Sequence, residues 1–243
     1  MRCEAGEVHV WQIALDCPSP ALMALRAVLS VGEKERSVHF QSAELSRRWT
    51  VARAAVRSIL ATYAGSEPQS LVFREGTHGK PELAGPGQGI SFNLSRTRGM
   101  ALLAIAATCR IGIDAETVQV EIDVEGISRR FFTRDEAEEI SSLAPEAQLA
   151  AFFACWTRKE AFVKAIGGGL SLPLNGFRVT VRPEQPARLI WVDWDEPEKW
   201  SLVDLAQPGV AAALAVEGPA PIVRRFNFCA PTDSLSQPKI RSY

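Results

Sequence analysis

The chain has 243 residues, 47% of them hydrophobic, which is enough to bury a sizeable core and excludes a disordered polypeptide. Its 27 Lys and Arg balance 28 Asp and Glu, a formal net charge of -1, so no global positive field points to nucleic acid or an anionic membrane. Cys3, Cys17, Cys109, Cys155 and Cys229 are scattered and never form C-x-x-C, and only His9, His39 and His78 are present. A disulfide framework, a zinc knuckle and a Ser-His-Asp triad therefore have little raw material, whereas carboxylate chemistry does.

The N-terminus carries Glu4 and Glu7 where a secretory signal would be basic. The longest apolar run, Met100 to Ala107, falls far short of the roughly 20 residues that span a bilayer. A cytoplasmic protein without a membrane span is expected.

Residues 7 to 15 partly alternate and read as a strand, broken by the prolines at 18 and 20. Trp49, Ala52, Val56, Ile59, Leu60 and Tyr63 share one face of a long helix that Gly65 ends. A strand is expected near Leu71 to Phe73. Ile90 to Leu94 and Met100 to Ala106 then read as a hairpin around Thr97 to Gly99, and Ile111 to Glu116 as a short strand. Helical text follows over 122 to 143, and Pro145 precedes a second strong helix to Ile166, ended by Gly167 to Gly169. The remainder is strand-like at 176–181, 187–193, 200–205 and 209–217, with a Pro- and Ser-rich tail over 231–243 expected to be flexible.

Two elements repeat in the same order. WTVARAAVRSI (Trp49 to Ile59) is echoed by WTRKEAFVKAI (Trp156 to Ile166), and GMALLAIA (Gly99 to Ala106) by GVAAALAV (Gly209 to Val216). Two similar α+β halves, 1–111 and 112–230, are inferred, with the paired helices against each other and Glu160 the counterpart of Arg53.

Three constellations could carry chemistry. In GIDAE, Gly112 to Glu116, strand geometry points Asp114 and Glu116 to the same side. Paired acids suit a hard cation, although a solvent-facing edge strand would look the same. In WTRKEAFVKAIGGGL, Glu160 and Lys164 share a helix face at i and i+4. They could be only a surface ion pair, but the aromatic and aliphatic surroundings point to a largely buried helix. A buried carboxylate near Asp114 and Glu116 would need a cation, and magnesium fits. The third constellation is basic: Arg36, Arg47, Arg48, Arg53, Arg57, Lys80, Arg96 and Arg98 supply enough charge for a phosphate-rich small ligand, with Ser95 as a hydroxyl donor.

In this order, GKP, FNLSRT, GIDAE, RFFTRDE and WTRKEAFVKAIGGGLSLPL resemble the Sfp-type 4'-phosphopantetheinyl transferases, over about Leu29 to Val181. The resemblance implies an α+β pseudodimer with the active site in the cleft between its halves. It implies transfer of the 4'-phosphopantetheine arm of coenzyme A to a serine of an apo acyl or peptidyl carrier protein, releasing adenosine 3',5'-bisphosphate. Asp114, Glu116 and Glu160 match the magnesium-binding acids, and Asp114 and Glu160 would also belong to the catalytic set and the coenzyme A site. Glu160 would activate the carrier serine, directly or through a water. Lys164 matches the lysine on the pyrophosphate. Arg48, Gly79, Lys80, Pro81, Ser95 and Arg96 fall where the family holds the adenosine and its 3'-phosphate, with Arg36 and Arg53 beside them. Phe131 and Phe132 match the region that receives the carrier. Where the family has a histidine after the serine of FNLS, this chain has Arg96, also a phosphate donor.

The leading expectation is thus a magnesium-dependent, monomeric transferase that primes fatty-acid, polyketide, nonribosomal-peptide or lysine-pathway carriers. The alternatives are a non-catalytic protein that binds coenzyme A or a carrier on the same fold, which need not keep the acids, and a magnesium enzyme acting on phosphoanhydrides, which the missing Walker loop disfavours.

Overall fold

A computed structural model of the chain describes residues 1–76, 79–230 and 239–242. In order these form β1 (Glu7–Ala14), α1 (Ser19–Ala27), α2 (Val31–Val38), α3 (Ala43–Ala64), β2 (Val72–Glu75), β3 (Pro81–Ala84), β4 (Ser91–Thr97), β5 (Met100–Ala106) and β6 (Ile111–Thr117). There follow α4 (Val124–Phe131), α5 (Arg134–Ser141), α6 (Pro145–Ile166), β7 (Phe177–Val179), β8 (Leu189–Val192), β9 (Trp200–Asp204), β10 (Val210–Glu217), β11 (Ile222–Cys229) and β12 (Lys239–Ser242). The fold is α+β.

Local signals set the helix ends. The Ser42 hydroxyl accepts from Leu45 N at the start of α3, and Gly65 closes it in the left-handed conformation at φ 62°. Pro145 occupies the first turn of α6, where its missing N–H costs nothing, and Gly167 ends that helix at φ 78°. The helical text over 122–143 is two helices. Thr133 starts α5 with a reciprocal cap, its backbone N–H donating to the Glu136 side chain while its hydroxyl accepts from Glu136 N.

Two sheets form the centre, one ordered β12-β11-β1-β5-β4 and one β6-β10-β9. They are stacked between the long helices. Trp11, Ile13, Leu103 and Ile105 turn to α3, packing on Val51, Ala55, Ile59 and Leu60. From the opposite face, Val8, Val10, Leu102 and Ala104 meet Ile111, Ile113, Ala115 and Leu214 of the second sheet. Ala213 and Ala215 then face Phe162 and Ala165 of α6. The layers therefore run helix, sheet, sheet, helix, with β1, β5, β6 and β10 burying both faces by their period of two.

This arrangement corrects three expectations. The long helices do not lie against each other, because the two sheets stand between their cores. The division at residue 112 is not clean, since β11 pairs in parallel with β1 inside the first sheet, Glu7 opposite Ile222 through Ile13 opposite Phe228. Part of the tail is also a strand: Lys239–Ser242 pairs with β11. The remaining tail, 231–238 and 243, lies outside the described residues.

Candidate active site

The site is built where β6 crosses α6. Strand alternation sends Ile111, Ile113 and Ala115 into the inter-sheet core, leaving Gly112, Asp114 and Glu116 on the side of α6. Gly112 permits the approach: a Cβ there would stand 2.1 Å from Ala161 O and 2.3 Å from Ala165 N. Asp114 is buried, and its Oδ1 accepts from Lys164 Nζ at 2.6 Å and from Ser95 Oγ at 2.9 Å. Its Oδ2 is buried without a partner among the described residues, a costly state for a carboxylate oxygen unless the site takes a donor or a cation.

Glu116 and Glu160 share this neighbourhood. Burial first, then repulsion from Asp114 and Glu160, pushes the Glu116 carboxyl up to about 7. Burial and the Asp114 charge likewise raise Glu160, while Lys164 opposes the rise in both. Three acids that repel one another around one lysine, with one carboxylate oxygen unanswered, make an oxygen-donor set suited to a hard divalent cation. Among the described residues, no three His, Cys, Asp or Glu side chains are arranged to hold a metal ion in this conformation.

Of the residues expected on the nucleotide, three gather. Arg53, Pro81 and Arg96 line one cavity of about 150 Å³ together with Trp49, Phe92 and Leu94. Burial, then the charge of Arg36, lowers the Arg96 guanidinium, which has no carboxylate partner among the described residues. Arg36 lies over the Trp49 ring at 5.8 Å. Arg53 pairs with Glu33 and stacks 4.0 Å above Phe73.

Others are placed differently. Arg48 is held by Asp16, with bonds of 2.8 and 3.1 Å, and by Glu44. Gly79 makes a turn at φ 79° ahead of Lys80, whose ammonium donates to Ile111 O at 2.7 Å, Lys164 O at 2.9 Å and Ala165 O at 3.4 Å. All three of its protons thus fasten β6 to the end of α6 rather than facing a ligand. Ser95 is also turned inward: besides Asp114 it receives Ala115 N at 3.1 Å and Lys164 Nζ at 3.2 Å. Phe132 is in the core, whereas Phe131 is 37% exposed and meets Trp156 edge-on.

Sequence reasoning passed over the residues that hold this frame. Arg158 and Lys159, beside Glu160, are wholly buried. Arg158 binds Asp204 through bonds of 3.0 and 2.6 Å, and Lys159 binds Glu136 at 2.8 Å and Leu174 O at 2.7 Å. Their helical phase, turned about 100–160° away from Glu160 and Lys164, is the available signal.

Residues 110–215, which hold both the acidic strand and α6, match the model of the 4'-phosphopantetheinyl transferase superfamily. Along more of its length the chain is 39% identical over 217 residues to the 4'-phosphopantetheinyl transferase HetI of Nostoc sp., covering 88% of this chain and 89% of that one. It is 29% identical over 174 residues to a 4'-phosphopantetheinyl transferase of Bacillus subtilis, covering 71% and 75%. To the L-aminoadipate-semialdehyde dehydrogenase-phosphopantetheinyl transferase of Rattus norvegicus it is 30% identical over 206 residues, covering 76% and 65%. The chain belongs to the 4'-phosphopantetheinyl transferases.

Proposed function

We propose that this protein moves the 4'-phosphopantetheine arm of coenzyme A to a serine of an apo acyl or peptidyl carrier protein. The observation that carries the reading is the cluster of Asp114, Glu116, Glu160 and Lys164, with the buried Asp114 Oδ2 left unpartnered among the described residues. Asp114, Glu116 and Glu160 would hold a magnesium ion, which when bound supplies positive charge to the pyrophosphate oxygens.

The chain's own groups do the rest. Glu160, its carboxyl raised by burial, takes the proton from the carrier serine as its oxygen attacks the phosphorus that bears the pantetheine arm. The new P–O bond forms as the bond to the departing adenosine 3',5'-bisphosphate breaks. Lys164 neutralises the charge that grows on the leaving phosphate. Arg36, Arg53 and Arg96 hold the adenosine end, with Arg96 in the role of the family histidine. Phe131 offers an apolar contact to the carrier.

The two halves read as a pseudodimer: each carries a long helix closed by a left-handed glycine, Gly65 and Gly167, on a sheet whose inner strand, β5 or β10, is one of the repeated segments. One chain supplies all the named residues, which supports a monomer. The cysteines are free, which supports a cytoplasmic setting.

Intact-mass spectrometry of apo acyl and peptidyl carriers, incubated with the protein, coenzyme A and magnesium, tests the reading. A gain of one phosphopantetheine, lost on adding chelator, is expected. Coenzyme A binding with no gain on any carrier would overturn it in favour of a non-catalytic binder.

A further inference from the structure

β6 and β4 are the facing edges of the two sheets, yet side chains rather than backbone join them. Every second residue of β4 takes part: Asn93 Oδ1 accepts from Ile113 N at 2.8 Å, Ser95 Oγ from Ala115 N at 3.1 Å, and Thr97 Oγ1 from Thr117 N at 2.7 Å. The Thr97 and Thr117 hydroxyls are also 2.9 Å apart. These three rungs satisfy the N–H groups of β6 on the edge away from β10, which would otherwise be unpaired in a largely buried joint.

The rungs alternate with the acids. Asp114 lies between the first two and Glu116 between the second and third, so the ladder that sets the register of β6 also fixes both carboxylates. A slip of one residue would turn Asp114 and Glu116 into the apolar layer of Ile111, Ile113 and Ala115. Ser95 touches Asp114 directly. Asn93 and Thr97 touch neither acid and act through the strand.

We propose that Asn93 and Thr97 are positioning residues: by holding the backbone on the outer flanks of Asp114 and Glu116, they keep the two carboxylates at the spacing a divalent cation needs. This rests on the function proposed above. Binding partners of this outer kind commonly change metal affinity or activity by about 10- to 100-fold when removed.

The test is Thr97→Val, which keeps the shape and loses the acceptor, beside Thr97→Ser, which keeps the hydroxyl. Mn2+ binding is read by electron paramagnetic resonance well below the melting temperature, with kcat and the KM for coenzyme A measured in parallel. The expected result is Mn2+ affinity and kcat both lower by about 10-fold in Thr97→Val, KM for coenzyme A unchanged, and wild-type behaviour in Thr97→Ser. If Thr97→Val does not fold, Thr97→Ala carries the same expectation. Wild-type Mn2+ affinity in a folded Thr97→Val or Thr97→Ala protein overturns this inference alone. Wild-type protein that transfers the arm without binding Mn2+ overturns the metal assignment, and this inference with it.

Discussion

Lys164 Nζ sits 2.6 Å from Asp114 Oδ1, while Asp114 Oδ2, on the same carboxylate, is buried with no partner among the described residues. One oxygen is thereby fixed and the other left open, a division that orients the acid without satisfying it. Asp114→Ala or Glu160→Ala should lower transfer by about 10³-fold or more, the scale lost with a positioned acid-base or charge-stabilising group, while circular dichroism stays native. Wild-type activity in either variant under excess chelator would contradict the metal assignment.

Arg96 lies close enough to feel the charge of Arg36, and among the described residues no acid pairs with it. Arg96→Ala should raise the KM for coenzyme A by about 10-fold, the loss of one charged phosphate contact of roughly 1.4 kcal/mol, and change kcat less. An unchanged KM would show that this arginine does not replace the family histidine.

Lys80 separates two roles that sequence alone conflates. As a strut between β6 and α6, its loss leaves buried carbonyls unsatisfied, so Lys80→Ala should cost about 1–3 kcal/mol of unfolding free energy without any ligand present. A residue that serves only to bind coenzyme A would leave that stability untouched. Urea unfolding of the ligand-free protein decides between them.

His9 supplies one part of the pH dependence of stability. It is buried, 2.6 Å from the Tyr63 hydroxyl and 3.3 Å from Glu7, and burial holds its pKa below the ordinary 6.5. The unfolded chain therefore binds a proton below about pH 6.5 that the folded chain refuses, so this contribution to stability is present above that pH and is lost as pH falls through the window beneath it. Glu116, raised to about 7, works in the opposite direction but is common to wild type and variant. The advantage of wild type over His9→Gln should hence shrink between pH 7.5 and 5, measured by urea unfolding. A constant difference would exclude His9 as the titrating group.

Periodicity carried much of this into view. The two-residue alternation of GIDAE placed Asp114 and Glu116 on one side, and i, i+4 spacing placed Glu160 with Lys164. What it could not reveal was which polar groups face inward, because the partners are distant backbone atoms: Ser95 reaches Ala115 N and Lys80 reaches Ala165 O, contacts that exist only after the sheets stack. Phe132 turns into the core just past the end of α4, which leaves Phe131 as the exposed member of the pair. β11 carries a signal of its own, the buried Phe226 and Phe228 standing on either side of Asn227.

That strand has a consequence for how the molecule comes into being. β1 is flanked by β5 and by β11, and the latter follows the whole acidic strand and α6 in the chain. The first sheet therefore cannot close until the strands of the second have been synthesised, so the acidic strand is laid down before the platform beneath it is finished. The first half, expressed by itself, would lack β11 and leave β1 as an open edge of its sheet.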